Sequence, residues 1–188
     1  MIVKGTAFLA RQVQLSEQFG QERWDQFLAV LAEEHHYFGD AIFATSKIPL
    51  DVFLSFQDAL VEHFFDGDVA AHRQMGERAA EWALTRGPIE GVLERPDDYG
   101  TFIAETTKRV WQRYFDFGRI EARLADDRIE IVITALPQAH PYFEISFVGY
   151  LLKTLELIGA REPRCEVEPT TADGTLTFHF TTGGWQPR

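Results

Sequence analysis

"RIEARLADDRIEIVIT" (Arg119–Thr134) and "CEVEPTTADGTLTFHF" (Cys165–Phe180) decide the fold. In the first stretch Ile120, Ala122 and Leu124 alternate with Glu121 and Arg123. Ile129, Ile131 and Ile133 then alternate with Glu130, Val132 and Thr134. A period of two sends successive side chains to opposite faces of a strand. The two runs meet at Asp126-Asp127, a link short enough for a hairpin. In the second stretch Cys165 and Val167 face inward, as do Leu176, Phe178 and Phe180 beyond a turn at Asp173-Gly174. Each hairpin has one apolar face. A sheet made of both is buried on one side and needs helices to cover it.

Between the hairpins the period changes. Pro137 and Pro141 bracket a break, and helical spacing then runs to Gly159. Ile145, Val148, Leu152 and Leu155 form one stripe, with Phe147, Leu151 and Ile158 beside it. The remaining face, Ser146, Gly149, Lys153 and Glu156, is small or polar. A helix from about Tyr99 to Tyr114 leads into the first hairpin through "YFDFG" (Tyr114–Gly118).

Further upstream the chain reads as helices. One spans residues 4–19 and stops at Gly20, a usual C-terminal signal. The next carries Trp24, Phe27, Leu28 and Leu31, and "EEHHYFGD" (Glu33–Asp40) breaks it. Ser46 is placed to cap a third helix and Pro49 to sit in its first turn. Phe53, Phe56, Leu60 and Phe64 form its apolar face, and "DGD" (Asp66–Asp68) ends it. A fourth, about Val69 to Arg86, has a small-residue repeat of Gly76, Ala79, Ala80 and Ala83 that lets another helix approach closely. "RGPIEGVLERPDD" (Arg86–Asp98) reads as a loop.

The expected fold is therefore α+β. N-terminal helices pack on one face of a C-terminal four-stranded antiparallel sheet, built of two hairpins separated by a long helix. The expected organisation is a single domain over residues 1–188, helical to about 115 and sheet-containing from about 116 to 182.

Composition narrows the function. With 45% hydrophobic residues and sixteen Phe, there is enough apolar material for a real core. A net charge of −11, with no clustered Lys or Arg, argues against nucleic acid as a partner. The single cysteine excludes a disulfide framework within the chain. No apolar run approaches the roughly 20 residues that span a bilayer. The expected location is cytoplasmic.

Landmarks spread over nearly the whole chain carry a resemblance. They are "KG" (Lys4-Gly5), "SKIPLDVF" (Ser46–Phe53), "YFDFGRIE" (Tyr114–Glu121) and "FVGYLLKTLELIGAREPRCEVE" (Phe147–Glu168). In this order they resemble a family of paralogues abundant in myxobacteria. That family is similar to the 4-vinyl-reductase sensor domains, the TRAPP vesicle-tethering subunits and the haem-nitric-oxide-binding domains. The resemblance implies a binding module rather than an enzyme. It implies a small hydrophobic molecule, an acyl chain or haem between helices and sheet, or dimers with partner proteins. Two departures limit it. The 4-vinyl-reductase pattern has a second Cys after the turn, and Thr175–Phe180 has none. The haem branch uses a Tyr-x-Ser-x-Arg string, which is absent here. Haem chemistry is therefore set aside, and no cofactor is expected beyond a lipid or other hydrophobic ligand.

Candidate residues follow. Phe53, Phe56, Leu60, Phe64, Phe102, Trp111, Phe115, Val148 and Leu152 are the expected walls of an apolar pocket between helices and sheet. No metal site is expected. His63 borders an apolar stripe, and "EEHH" (Glu33, Glu34, His35, His36) contains a Glu-x-x-His pair, but a di-iron site needs a second such pair. Cys165 reads as a small buried hydrophobe. No Gly-x-Ser-x-Gly elbow or phosphate-binding Gly-Lys-Ser/Thr loop is present, and "DFG" (Asp116–Gly118) lacks the other kinase signatures. The expected function is a non-enzymatic sensory module, a homodimer acting through a signalling partner. The alternatives are a scaffolding subunit without ligand and a haem- or metal-binding sensor.

Overall fold

Alternation in the last third produces the expected sheet. The structure, a computed structural model, describes residues 1–86, 99–125 and 128–185. Strands β3 (Arg119–Ala125), β4 (Arg128–Thr134), β5 (Arg164–Glu168) and β6 (Leu176–Thr181) form one antiparallel sheet in the order β3-β4-β6-β5. The two hairpins join through β4 and β6, where Ile129 faces Phe180, Ile131 faces Phe178 and Ile133 faces Leu176. All six of these side chains are at most 2% exposed. The opposite face carries Glu130, His179 and Glu168, and His179 Nε2 lies 3.0 Å from Glu168 Oε1. One face is core and the other is wet, as a half-covered antiparallel sheet requires.

The helices are α1 (Gly5–Phe19), α2 (Gln21–Glu34), α3 (Leu50–Phe65), α4 (Ala71–Thr85), α5 (Tyr99–Tyr114) and α6 (Phe147–Ile158). Gly20 and Gly159 end α1 and α6 at positive φ, as read from the sequence. Asp66 ends α3 in the left-handed region, where its Asp side chain is tolerated better than most. The loop read at Arg86–Asp98 and the hairpin link Asp126-Asp127 fall, apart from Arg86, outside the described residues.

Three local readings need correction. Ser46 does not cap α3, and Pro49 precedes that helix rather than opening it. Lys47–Pro49 is a short strand, β2, paired antiparallel with β1 (Ile2–Lys4). Ser46 instead gives its carbonyl to the Gly5 N–H at 2.8 Å. Residues Tyr142–Ser146 form a π-helical turn ahead of α6. Cys165 and Val167 share the face of Phe178 and Phe180, but β5 is an edge strand. Cys165 is only half-buried and Val167 is 36% exposed.

α4 and α6 cross at the small residues. A Cβ on Gly76 would overlap the Ser146 carbonyl, and one on Gly149 would overlap the Arg73 carbonyl. Backbone therefore touches backbone, which only glycine permits. The apolar core is continuous. Phe8, Trp24, Phe27, Phe38, Phe53, Phe56 and Phe64 fill the helical layer, and Trp111, Phe115, Phe143 and Phe178 carry the core onto the sheet. Tyr142 links the two, with its ring 5.1 Å from Phe53 and 5.2 Å from Phe143.

Candidate functional site: a buried arginine beside three tyrosines

Arg11 lies on α1, four residues after Ala7 on a face that packs inward, and it is only 3% exposed. Burying a charge is costly unless it is hydrogen-bonded and paired. The hydrogen bonds are present. Nε donates to Gln57 Oε1 of α3 at 3.4 Å, and NH1 donates to Gln14 Oε1 at 3.2 Å and to the Met75 carbonyl of α4 at 2.7 Å. NH2 donates to Ser146 Oγ at 2.9 Å. A paired charge is absent among the described residues, where every acceptor is neutral. Burial lowers the guanidinium pKa, and Tyr142 and Tyr114 oppose that shift. Arginine nonetheless keeps its proton at neutral pH.

Beside Arg11 a partly open cavity of about 40 Å³ lies between α1, α4, α5 and the start of α6. Its apolar wall includes Ala7, Ala10, Ala79, Val110, Phe115 and Phe147. Its polar wall is Arg11, Ser146, Tyr114, Tyr142 and Tyr150, with no carboxylate among the described residues. The π-helical turn accounts for two of these. Tyr142 and Ser146 are its first and last residues, four apart and so on one face, and such turns concentrate at functional sites. Burial pushes the Tyr142 phenol up to about 12, with Arg11 opposing. Burial also raises Tyr114 and Tyr150. All three are hydroxyl donors at neutral pH.

His72 of α4 adjoins this site, its ring 6.4 Å from Tyr142 and 6.3 Å from His140. It is 1% exposed, and Nδ1 has no hydrogen-bond partner among the described residues. Burial first, then the charge of Arg11 and the neighbouring His140, lower its pKa from 6.5 to about 3. Between those values the unfolded chain holds the proton and the folded chain does not. Stability therefore falls as pH drops from about 6.5 toward 3, by at most about 1.4 kcal/mol per pH unit from this group. His72→Leu, which removes the titrating ring, is expected to flatten that slope. Urea unfolding at pH 7 and pH 4.5 measures it, and an unchanged slope in the variant would assign the acid sensitivity to other groups.

The nine residues read as pocket walls are distributed differently. Phe53, Phe56, Leu60 and Phe64 pack within the helical layer. Phe102 borders a separate apolar cavity of about 30 Å³ with Ile103, Leu151 and Ile131. Trp111 donates its indole N–H to the Phe117 carbonyl at 2.8 Å. Val148 and Leu152 are buried in the common core. Phe115 alone of the nine borders the Arg11 cavity. Sequence reasoning missed Arg11, Tyr142 and Ser146.

His63 is exposed, its ring 4.8 Å from Phe64, and His36 is exposed in a 3-10 turn. Among the described residues, no three of His, Cys, Asp and Glu stand close enough together to hold a metal. Burial raises the Cys165 thiol to about 12, which suits an unreactive side chain. No described helix is long and apolar enough to cross a membrane.

No protein-family profile matches this sequence, and no curated protein matches it. Solved structures do match its fold. An alanine-to-glycine mutant of an H-NOX protein from K. algicida, in the unliganded Fe(II) state, aligns with a TM-score of 0.72 at 15% identity, over 96% of this chain and 97% of that one. An H-NOX protein from S. oneidensis in the Fe(II)NO state gives 0.67 at 14%, over 96% and 99%. A protein solved for modulation of haem redox potential by porphyrin distortion gives 0.70 at 17%, over 98% and 97%. The α+β fold of this chain is thus the H-NOX fold. These neighbours overturn the expectation of no cofactor, with haem set aside: the solved proteins that share the architecture are haem proteins.

Proposed function

We propose that this chain is a sensor domain, that its ligand occupies the cavity around Arg11, Tyr114, Tyr142 and Tyr150, and that haem is that ligand. The observation that carries the reading is a buried cation with no carboxylate partner among the described residues, beside three phenols, in a fold shared end to end with H-NOX proteins. The donor set suits the propionate end of haem, since three phenol O–H groups and a guanidinium all donate. Arg11 would hold a propionate by a charge-assisted hydrogen bond. Bound haem would supply an iron centre for a diatomic gas. Such a ligand needs more room than about 40 Å³, since ligand pockets run to roughly 300–1,000 Å³. Phe115, Tyr142 and Phe147 must therefore part on binding.

The test is titration of the purified protein with haemin, followed by the Soret band. One equivalent should produce a shifted, saturable band. A band no different from haemin with an unrelated protein would remove haem from the reading.

A second reading rests on the core itself. Cavities of about 40 and 30 Å³ are what a filled interior leaves, and a filled interior suits an interaction subunit without ligand. In either case the output travels by protein contact, through a homodimer or a signalling partner, and a change of interface carries it.

A further inference from the structure

We infer that Arg11 is a carboxylate anchor, and that the cavity beside it admits the head of an apolar acid whose body lies along Ala79, Val110 and Phe147. This deepens the ligand-binding reading above and rests on it. The geometry begins with a count. A guanidinium carries five N–H donors. Four are engaged, by Gln57, Gln14, the Met75 carbonyl and Ser146, so one N–H on NH2 remains without a bonded acceptor among the described residues. That nitrogen belongs to a residue lining the cavity. Among the described residues no Asp or Glu bonds to Arg11 or lines the space, so the charge has no carboxylate partner there.

The surroundings select a single negative charge on an apolar body. Tyr114, Tyr142 and Tyr150 remain protonated at neutral pH and add hydroxyl donors. The rest of the wall is alanine, valine and phenylalanine. A carboxylate matches one spare guanidinium N–H and one charge, whereas a phosphate dianion would bring a second charge with no partner. About 40 Å³ admits a head group, so the body lies toward the half-buried lining residues Ala79, Val110 and Phe147. A carboxylate of this kind comes from a fatty acid or from a haem propionate.

The test uses the full chain, with decanoate, 1-decanol and haemin as probes, followed by calorimetry and by Soret absorbance. Wild-type protein should bind decanoate at least tenfold more tightly than decanol. Arg11→Met should abolish that preference. Because Arg11 also ties four segments together, Ala79→Trp provides a second variant. It blocks the open side, and should lose decanoate binding while keeping the wild-type melting temperature. Equal affinity for decanoate and decanol, no decanoate binding, or binding retained in Ala79→Trp would overturn the anchor. Haemin separates the sources. Haemin that binds and is displaced by decanoate supports the anchor with a propionate as its partner. Decanoate binding without haemin binding supports the anchor with an acyl acid, and ends the haem reading. Haemin binding that survives Ala79→Trp and ignores decanoate puts haem outside the Arg11 cavity and, when decanoate does not bind, overturns the anchor as well.

Discussion

Gly149→Val is expected to destabilise the protein by at least about 3 kcal/mol, the upper end of ordinary overpacking, and to leave little folded chain at 37 °C. Its Cβ would meet the Arg73 carbonyl oxygen, with the Arg73 carbonyl carbon at 2.9 Å and the Glu77 nitrogen at 3.1 Å. These are main-chain atoms inside α4, so no side chain can rotate out of the way. Either α4 and α6 separate or the turns deform. Separation would also open the Arg11 site, because Met75 lies on α4 and Ser146 adjoins α6. Gly39→Ala is the matched control, since its Cβ would meet only Ala32 Cβ at 4.0 Å. It should stay within about 0.5 kcal/mol of wild type. Urea midpoints measure both. A mild Gly149→Val would mean that the helices do not cross at backbone contact.

Phe56→Ala is expected to cost about 3–5 kcal/mol, the range for a buried Phe truncated to Ala. Phe56 has no exposed surface and is the hub of the helical layer. Its ring lies 5.0 Å from Phe8, 5.4 Å from Phe38, 5.9 Å from Phe53 and 6.2 Å from Phe27. Removing it leaves a hole that these rings cannot close together. The sequence reading made Phe56 a pocket wall, and the two roles differ in outcome. As core, its loss costs stability and leaves ligand affinity at the Arg11 cavity intact wherever the variant is folded. As a wall it would cost little stability and much affinity. Chemical denaturation and a binding isotherm on the same preparation separate the two.

How much was legible follows from what each element writes into sequence. β3, β4 and β6 were readable because burial on one face enforces strict alternation over six or seven residues. α5 was readable to both its ends, Tyr99 and Tyr114, and the close crossing of α4 was foreshadowed by Gly76 and its alanines. β1 and β2 were not, since three residues cannot display a period, and Pro49 pointed toward a helix start. The π-helical turn was hidden because one extra residue only rotates a helical stripe.

Arg11 was the largest omission. On α1 a single Arg reads as part of a wet face. Its burial is created by partners at positions 14, 57, 75 and 146, which only the folded chain assembles. The dismissal of haem failed for a related reason. It rested on one missing string, whereas the likeness to haem proteins lies in architecture at 14–17% identity. Aromatic residues were legible as core and not as site. Sixteen Phe declare that a core exists, but helical spacing alone does not say which rings border empty space.

The most direct test of a ligand held at Arg11 is native mass spectrometry of freshly purified protein, wild type beside Ala79→Trp, from two expression hosts. The expected result is a bound mass on the wild type that is absent from Ala79→Trp and is identified after denaturing extraction as a carboxylate-bearing molecule. Bare protein in both variants from both hosts would contradict a resident ligand and leave the chain as an interaction subunit.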